Sequence, residues 1–599
     1  MKSLISLVCL IGLVSLSSAL DLPRYYGQEV VITALKIPQA KTRSPWDVIV
    51  LKADDLKGKL TLNDALREVP GADVKATGGL GSVSTLRMRG TTSQQSLILL
   101  DGRRINSPLL GMIDLNDVLL SDIERIEVVR APLSSLYGSE AVGGVVNLIT
   151  KKSGRELTAA YGSFNTQQLN WLYNGTHINL TRSDGFRQNS DYSSQSIGQN
   201  LAFGPLALDL RYYSADKGVP RVPNSESDPA SASTPGDRQK DQNLFGDLSF
   251  KQEADNLATN ARVYYDQLDS QFHSFNFFTS LFEDSNYLTR QAGAEFGQTV
   301  KISKSADLVY GAEARQDRGQ SLYAGDHAIN NYAAFGQVQM GGPSLNFVLG
   351  SRVDKHSAFG YAVSPRAGLS FYPVPDLILR ASAGNAFKAP TLNDLYWNDP
   401  LWQMYGDPSL RPETSQSYEI GMEKLMGPNS SLALNYYNSN IRDLIIWDWN
   451  TVTNITRARN LGEVVARGWE VEGNYQLTRA LNVFGNYTWQ ESLDAGNDTP
   501  YSPRDKYNLG LKVLNNVRLN LSYVGARYAD SFNTIKLPDY SLVGVWAGRE
   551  FGPYQLSLTI DNLFNQGYYE SVGYHPVTYA QLKYPMPGRV ITISLGGKI

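Results

Sequence analysis

A single cysteine, Cys9, among 599 residues rules out a disulfide framework. Beyond the N-terminal segment, no apolar run approaches the roughly 18 residues that a spanning helix requires. Any crossing of a membrane therefore falls to strands, whose signal is alternation instead of continuous hydrophobicity. Charged residues make up 19% of the chain, below the usual quarter or so of a soluble protein. The formal net charge of −3 lacks the basic excess that nucleic-acid binding demands. His177, His273, His327, His356 and His575 are scattered without ligand spacing, and no nucleophile-elbow, zinc or P-loop pattern occurs, so the chain does not read as an enzyme.

What is abundant points to β-structure: 34 tyrosines, 52 glycines and 11% aromatics. At the N-terminus, Lys2, an apolar stretch over residues 4–16 and then Ser17-Ser18-Ala19 read as a secretory signal occupying 1–19. The expected mature chain carries no cysteine, which suits an oxidising compartment. Residues 20–59 read mainly as linker, kept extended by Pro38 and Pro45. Within them Glu29, Val30, Val31, Ile32, Thr33 and Ala34 form a short β-prone string.

Residues 60–152 read as a small mixed α/β domain. Thr61 is an N-cap candidate with Asp64 three residues on, Leu62, Ala65, Leu66 and Val69 recur at helical spacing, and Pro70-Gly71 stops the helix. Ser121-Asp122-Ile123-Glu124 carries a second capping-box pattern. β-rich runs at 97–100, 126–129 and 145–150 are separated by turn chemistry such as Asp101-Gly102 and Gly143-Gly144.

From 153 to 599 the period becomes two. Leu206, Leu208, Leu210 and Tyr212 share one face against Asp209 and Arg211, and Leu519, Leu521 and Tyr523 oppose Arg518, Asn520 and Ser522. At roughly 20 residues per strand and connection, this stretch makes about 22 strands, the size class of barrel whose lumen is plugged. The fold expected is an all-β membrane protein: an antiparallel transmembrane barrel of about 22 strands that follows the mixed α/β domain, which a family resemblance carried by the strings that follow places in its lumen. An exported soluble β-protein is the rival reading.

Several strings carry a resemblance. In the first domain they are Leu86-Arg87-Met88-Arg89-Gly90, Ile123-Glu124-Arg125-Ile126-Glu127-Val128-Val129-Arg130-Ala131-Pro132 and Leu136-Tyr137-Gly138-Ser139-Glu140. In the second they are Asn385-Ala386-Phe387-Lys388-Ala389-Pro390, Gly406-Asp407-Pro408-Ser409-Leu410-Arg411-Pro412-Glu413, Arg467-Gly468-Trp469-Glu470 and Asp561-Asn562-Leu563-Phe564, in that order. Together they resemble the TonB-dependent outer-membrane receptors over essentially the whole mature chain. Among its subfamilies the vitamin B12 receptors are the most similar.

The resemblance implies active import across the outer membrane, powered by TonB and its inner-membrane energising complex, with outer-membrane lipid around the barrel and no nucleic-acid partner. Cobalamin or a related corrinoid is the first cargo expected. A ferric siderophore or haem is the alternative, and a passive porin or an adhesin is disfavoured because neither needs a plug. Glu29, Val30, Val31, Ile32, Thr33 and Ala34 look like the Ton box, the segment that TonB pairs with by strand addition. Plug arginines Arg89 and Arg130 are expected to meet barrel glutamates among Glu419, Glu423, Glu470 and Glu472, which strand parity turns inward.

Ligand contacts are expected from plug apices 77–84 and 105–112, with Thr77, Leu80, Ser82, Asn106, Leu109 and Met112. The loop aromatics Trp397, Trp402, Tyr405, Trp447 and Trp449, and phenylalanines between 272 and 282, would supply an amphipathic surface. No cofactor is implied, apart from calcium at Asp216, Glu226, Asp228, Asp237 and Asp241 if those carboxylates cluster.

Overall fold

The computed structural model describes residues 30–277, 279–450, 452–514 and 516–599. The expected signal segment 1–19 and Glu29 lie outside them. Twenty-two antiparallel strands close a barrel, from Arg155–Gly162 to Val590–Lys598, which pair with each other and leave no edge. Closure satisfies the main chain without water, as a hydrocarbon surround demands.

Alternation decides the two faces of the wall. Leu206, Leu210 and Tyr212 are exposed on the outside while Arg211 is buried within, and on the last strand Ile591, Ile593 and Leu595 face out while Thr592 faces in. Connections such as 203–206, 254–257 and 551–554 are tight at one end, whereas 218–238, 388–413 and 561–590 are long at the other. Short turns mark the periplasmic rim and long loops the outer one. The strands Leu281–Ser303 and Ile455–Thr478 have 23 and 24 residues. About 10 suffice to span a bilayer, so the wall projects well beyond the outer membrane surface.

The lumen holds the plug. Its five-stranded sheet runs in the order Val48–Leu51, Ile123–Val129, Gly144–Thr150, Ser96–Leu100 and Arg103–Arg104, with a separate pair Ala72–Ala76/Ser84–Met88. The central strand buries both faces. Val146 and Leu148 join Leu62, Leu66 and Ile126 on one side, and Val145 joins Trp46, Leu97 and the barrel's Phe335 on the other. The helix Leu62–Leu66 has the expected Thr61 cap, its hydroxyl accepting from the Asp64 amide at 3.3 Å.

Two expectations need correction. Val48–Leu51 is an edge strand of the plug sheet, paired with Ile126–Val129, so the plug begins inside the stretch read as linker. Pro45 and the polar run before it masked a four-residue strand too short to show a period. Ser121-Asp122-Ile123-Glu124 forms no α-helix. Leu120–Asp122 is one 3-10 turn, after which Ile123–Val129 enters the sheet, because pairing with Gly144–Thr150 outweighs a local cap.

Candidate functional site

Three places in the lumen bear on the expected function: an ion cluster between plug and wall, a docked N-terminal segment, and the outer vestibule.

The ion cluster is built where the plug strand Ser84–Met88 ends. Arg89 sits in the left-handed region at φ 51°, and its amide donates to the Gly71 carbonyl at 2.6 Å. This turn aims the guanidinium at the wall. It meets Glu470 through Nη2–Oε2 at 2.7 Å and Nε–Oε1 at 3.1 Å, and Glu419 through two contacts of 3.2 Å. Tyr437 stacks at 4.3 Å from the same guanidinium. Arg130 lies 2.9 Å from Glu470, 4.0 Å from Glu472, and bonds to Asp47. Gly71 is required here: its φ is 68°, and a Cβ would fall 2.2 Å from Glu470 Oε1.

Sequence reasoning missed Asp47, a lone acid in apparent linker with no local signal. Burial pushes its carboxyl up, but Arg130, then Lys41, Arg380 and Arg89, overturn that and hold the pKa at about 2. Glu423 corrects the expected set: it faces the lumen but pairs with the barrel's own Arg380 at 2.8 Å, not with a plug arginine. Arg380 arrives from the neighbouring strand, two residues short of the register level of Glu419.

The N-terminal segment is folded away. Val30–Val31 pairs with Gln39–Ala40, then the chain turns so that Thr33, Ala34 and Leu35 are buried. One carboxylate holds it. Glu127 Oε2 accepts from the amides of Ile32 and Thr33 at 3.0 Å and from the Thr33 hydroxyl at 2.7 Å, while Oε1 accepts from Arg125 at 3.1 Å. Tyr137 and Asn147 donate to Thr33 at 3.0 Å, and from the wall Arg366 donates to the Ala34 carbonyl at 3.1 Å and Gln337 to that of Leu35 at 2.8 Å. Glu127 was within a recognised string, yet only the folded chain shows what it grips.

In the vestibule, Thr77, Leu80, Ser82 and Met112 are half-buried on the plug apices and Trp402 is exposed on a loop, whereas Trp447 and Trp449, expected on loops, stand on the strand Ser430–Asn450, with Trp449 exposed. Tyr405 is half-buried with Arg457 above its ring, Trp397 stacks on Tyr323 at 4.9 Å, and Trp447 packs on the cluster around Leu392 and Leu395. Asn106 and Leu109 correct the list. Asn106 is buried with its amide consumed by Ile98, Ser96 and Gly111, and Leu109 is 1% exposed in the same apolar cluster as Trp447. They brace the apex from below, since a loop that tight must satisfy its main chain internally.

The five acidic residues considered for calcium do not converge. Asp216 bonds to Arg238, Asp241 lies 2.8 Å from Lys217, Asp237 is 3.5 Å from Arg221 and Glu226 is 3.4 Å from Lys583, while Asp228 closes a turn with Ser225. Among the described residues no group of three or more acidic, histidine or cysteine side chains is placed to hold a metal. Four of the five carboxylates are thus taken up one by one by separate lysines and arginines.

Comparison with known proteins agrees with this architecture. The family model described as TonB dependent receptor-like, beta-barrel matches residues 160–563, and that of the TonB-dependent Receptor Plug Domain matches 40–145. The chain is 28% identical to the vitamin B12 transporter BtuB of Photobacterium profundum over 590 residues, covering 90% of this chain and 92% of that protein. It is 26% identical to BtuB of Vibrio vulnificus, over 85% and 84%. Among solved structures, a mutant of the ferric enterobactin receptor PfeA of Pseudomonas aeruginosa, bound to enterobactin, superposes with a TM-score of 0.76 at 19% identity, covering 92% of this chain and 99% of that one. The siderophore receptor PirA of Acinetobacter baumannii gives 0.74 at 17%, covering 92% and 98%. A closed barrel, a plug seated in its lumen and family matches over both parts have one reading: the chain belongs to the TonB-dependent receptors of the bacterial outer membrane, a family of transporters and not of enzymes.

Proposed function

We propose that this receptor imports cobalamin or a related corrinoid into the periplasm. The observation that carries the cargo is the similarity to vitamin B12 transporters along nearly the whole length of both chains, plug and barrel together. The exposed Trp402 and Trp449 and the half-buried Thr77, Leu80 and Ser82 of the plug apex offer amphipathic surface suited to a large ligand of mixed polarity.

Coupling follows from the docked segment. TonB pairs by main-chain bonds, so residues 30–34 must first leave Glu127, and ligand seated on the plug apices favours that release. In the docked state the amides of Ile32 and Thr33 and the carbonyls of Thr33 and Ala34 already have partners, so a strand that pairs through the main chain must displace them. Work from the periplasm then displaces the plug against the Arg89–Glu470 anchor, with no covalent step.

A ferric siderophore is the second reading, favoured by the likeness of the fold to PfeA and PirA. Equilibrium binding of cyanocobalamin to the purified receptor, against a panel of iron chelates, decides between them. Cyanocobalamin is expected to bind and the chelates to fail. Selective binding of a chelate overturns the corrinoid reading.

A further inference from the structure

On the flank of the plug away from the ion cluster, the lumen is open. A cavity of about 240 Å3 lies between the plug strands Ala72–Ala76 and Ser84–Met88 and the barrel wall, reaching from Trp546 to Phe186 in the outer loops. Three cations gather on one phenol in its lining. Lys75 Nζ sits 4.0 Å from the ring centre of Tyr501, Arg87 donates to the carbonyl of the preceding Pro500, and the Tyr501 amide donates at 2.6 Å to the carbonyl of Tyr528, next to Arg527; Lys75, Arg87, Tyr501 and Arg527 all stand in the one lining.

None of the three forms a salt bridge among the described residues. Arg87 donates to the carbonyls of Thr91, at 2.8 Å, and Pro500, and Arg527 to that of Tyr569 at 3.1 Å, with its guanidinium 5.6 Å from the Tyr540 ring. Arg527 is 6% exposed and its Nη1 is buried with no hydrogen-bond partner. Two carboxylates lie nearby: Asp73 stands opposite Arg87 in the strand register and accepts from the neutral Gln490 amide at 2.9 Å, while Glu570 is held by Arg67 at 2.9 Å and Tyr540 at 3.1 Å.

Three cations withdrawn from water with one carboxylate, Asp73, across from them are left short of counter-charge, and an anion delivered among them is correspondingly favoured. Burial and then Arg87 bring Lys75 down to about 8, and burial brings Arg87 down to about 10 against the pull of Asp73 and Tyr501. The aromatic faces of Tyr501 and Tyr540 would pack on the apolar body carrying such an anion.

We infer that Lys75, Arg87 and Arg527, gathered around Tyr501 in the side cavity, form an anion-binding station on the cargo's route past the plug. It takes an oxyanion group of the cargo, either the phosphodiester of a corrinoid's nucleotide arm or the deprotonated oxygens of a ferric catecholate. The inference rests on the import reading above for the route, and on geometry alone for the anion.

The test uses the full receptor with Lys75→Met and Arg527→Met combined, and with Lys75→Arg and Arg527→Lys combined as the charge-keeping control. Inorganic phosphate titrated into purified protein reads the site without any cargo. Wild type and control are expected to bind it at least tenfold more tightly than the methionine pair, and equal binding by all three overturns the site. Energised uptake is then measured with cyanocobalamin, with dicyanocobinamide, which lacks the phosphodiester, and with ferric enterobactin. A phosphodiester source predicts that the methionine pair lowers cyanocobalamin uptake at least tenfold and dicyanocobinamide uptake less than threefold. A catecholate source predicts that only ferric enterobactin is imported and that its uptake falls. Equal loss for both corrinoids marks a structural effect and overturns the station. Phosphate binding that depends on the two residues, in a protein that imports none of the probes, keeps the site and overturns the import reading instead.

Discussion

The two flanks of the plug are held by opposite means. On one, Arg89 and Arg130 are matched by Glu419, Glu470 and Asp47 at hydrogen-bond distance, with only a small cavity of about 20 Å3 beside them. On the other, Lys75, Arg87 and Arg527 stand around Tyr501 without a salt bridge, Asp73 opposite Arg87 being the one carboxylate across the strand pair, beside a cavity of about 240 Å3. Paired charge fixes a domain in one orientation, because separating the partners leaves each buried and alone. Unpaired charge fixes nothing and invites a ligand. The difference assigns the first flank to anchorage and the second to passage.

The largest blow to this contrast is to cut the coupling. Deleting residues 29–34 should abolish energised uptake and leave surface binding within about twofold, checked by labelled cargo on whole cells; retained uptake would place the coupling site elsewhere. Next comes the anchor. Glu470→Ala strips one carboxylate from two buried arginines, a loss of roughly 3–5 kcal/mol, and should make the lumen leak, read as entry of small antibiotics that the wild type excludes. Gly71→Ala, which drives a methyl group into Glu470 Oε1, should leak in the same assay though less.

Smaller effects sharpen the picture. Glu127→Gln removes the charge that three donors of the N-terminal segment share, and hydrogen bonds to a charged group contribute about 1.5–3 kcal/mol. Proteolysis within residues 30–36 should accelerate about tenfold or more without ligand, while cutting at the Arg89 turn stays unchanged.

Asp47 gives a pH handle. Its folded pKa of about 2 lies below the ordinary Asp value of about 3.9, so its contribution is full above about pH 4 and is lost as pH falls through 2. Fluorescence of the adjacent Trp46 should report loosening in that window, and Asp47→Asn should lack that component. The smallest effect expected is that of calcium removal: with four of the five candidate carboxylates taken up by separate cations, chelation should leave cargo binding within about twofold.

How far the chain could be read depended on whether the relevant physics was local. The outward faces of Leu206, Leu210 and Tyr212 and the inward turn of Glu470 follow from a two-residue period that any short window reveals. The strand Val48–Leu51 did not, being four residues within a proline-flanked stretch, nor did the failure of Ser121 to start a helix, since that outcome belongs to the sheet. Glu419 and Glu423 share a face of one strand, and nothing in that strand tells which meets Arg89 and which Arg380.

By itself, then, the sequence determined the architecture: export, a plug-sized α/β piece, and a closed wall of two-faced strands around it. Those features are written in runs of four to twenty residues, where pleat, turn chemistry and side-chain polarity act between neighbours. Only the tertiary structure decided the pairing of Arg130 with Asp47, the grip of Glu127 on Thr33 and the lone charges around Tyr501. The first two depend on how distant segments of the plug fold onto one another, and the last on how the plug is seated against the barrel wall; all join residues far apart in the chain, and no local window contains them.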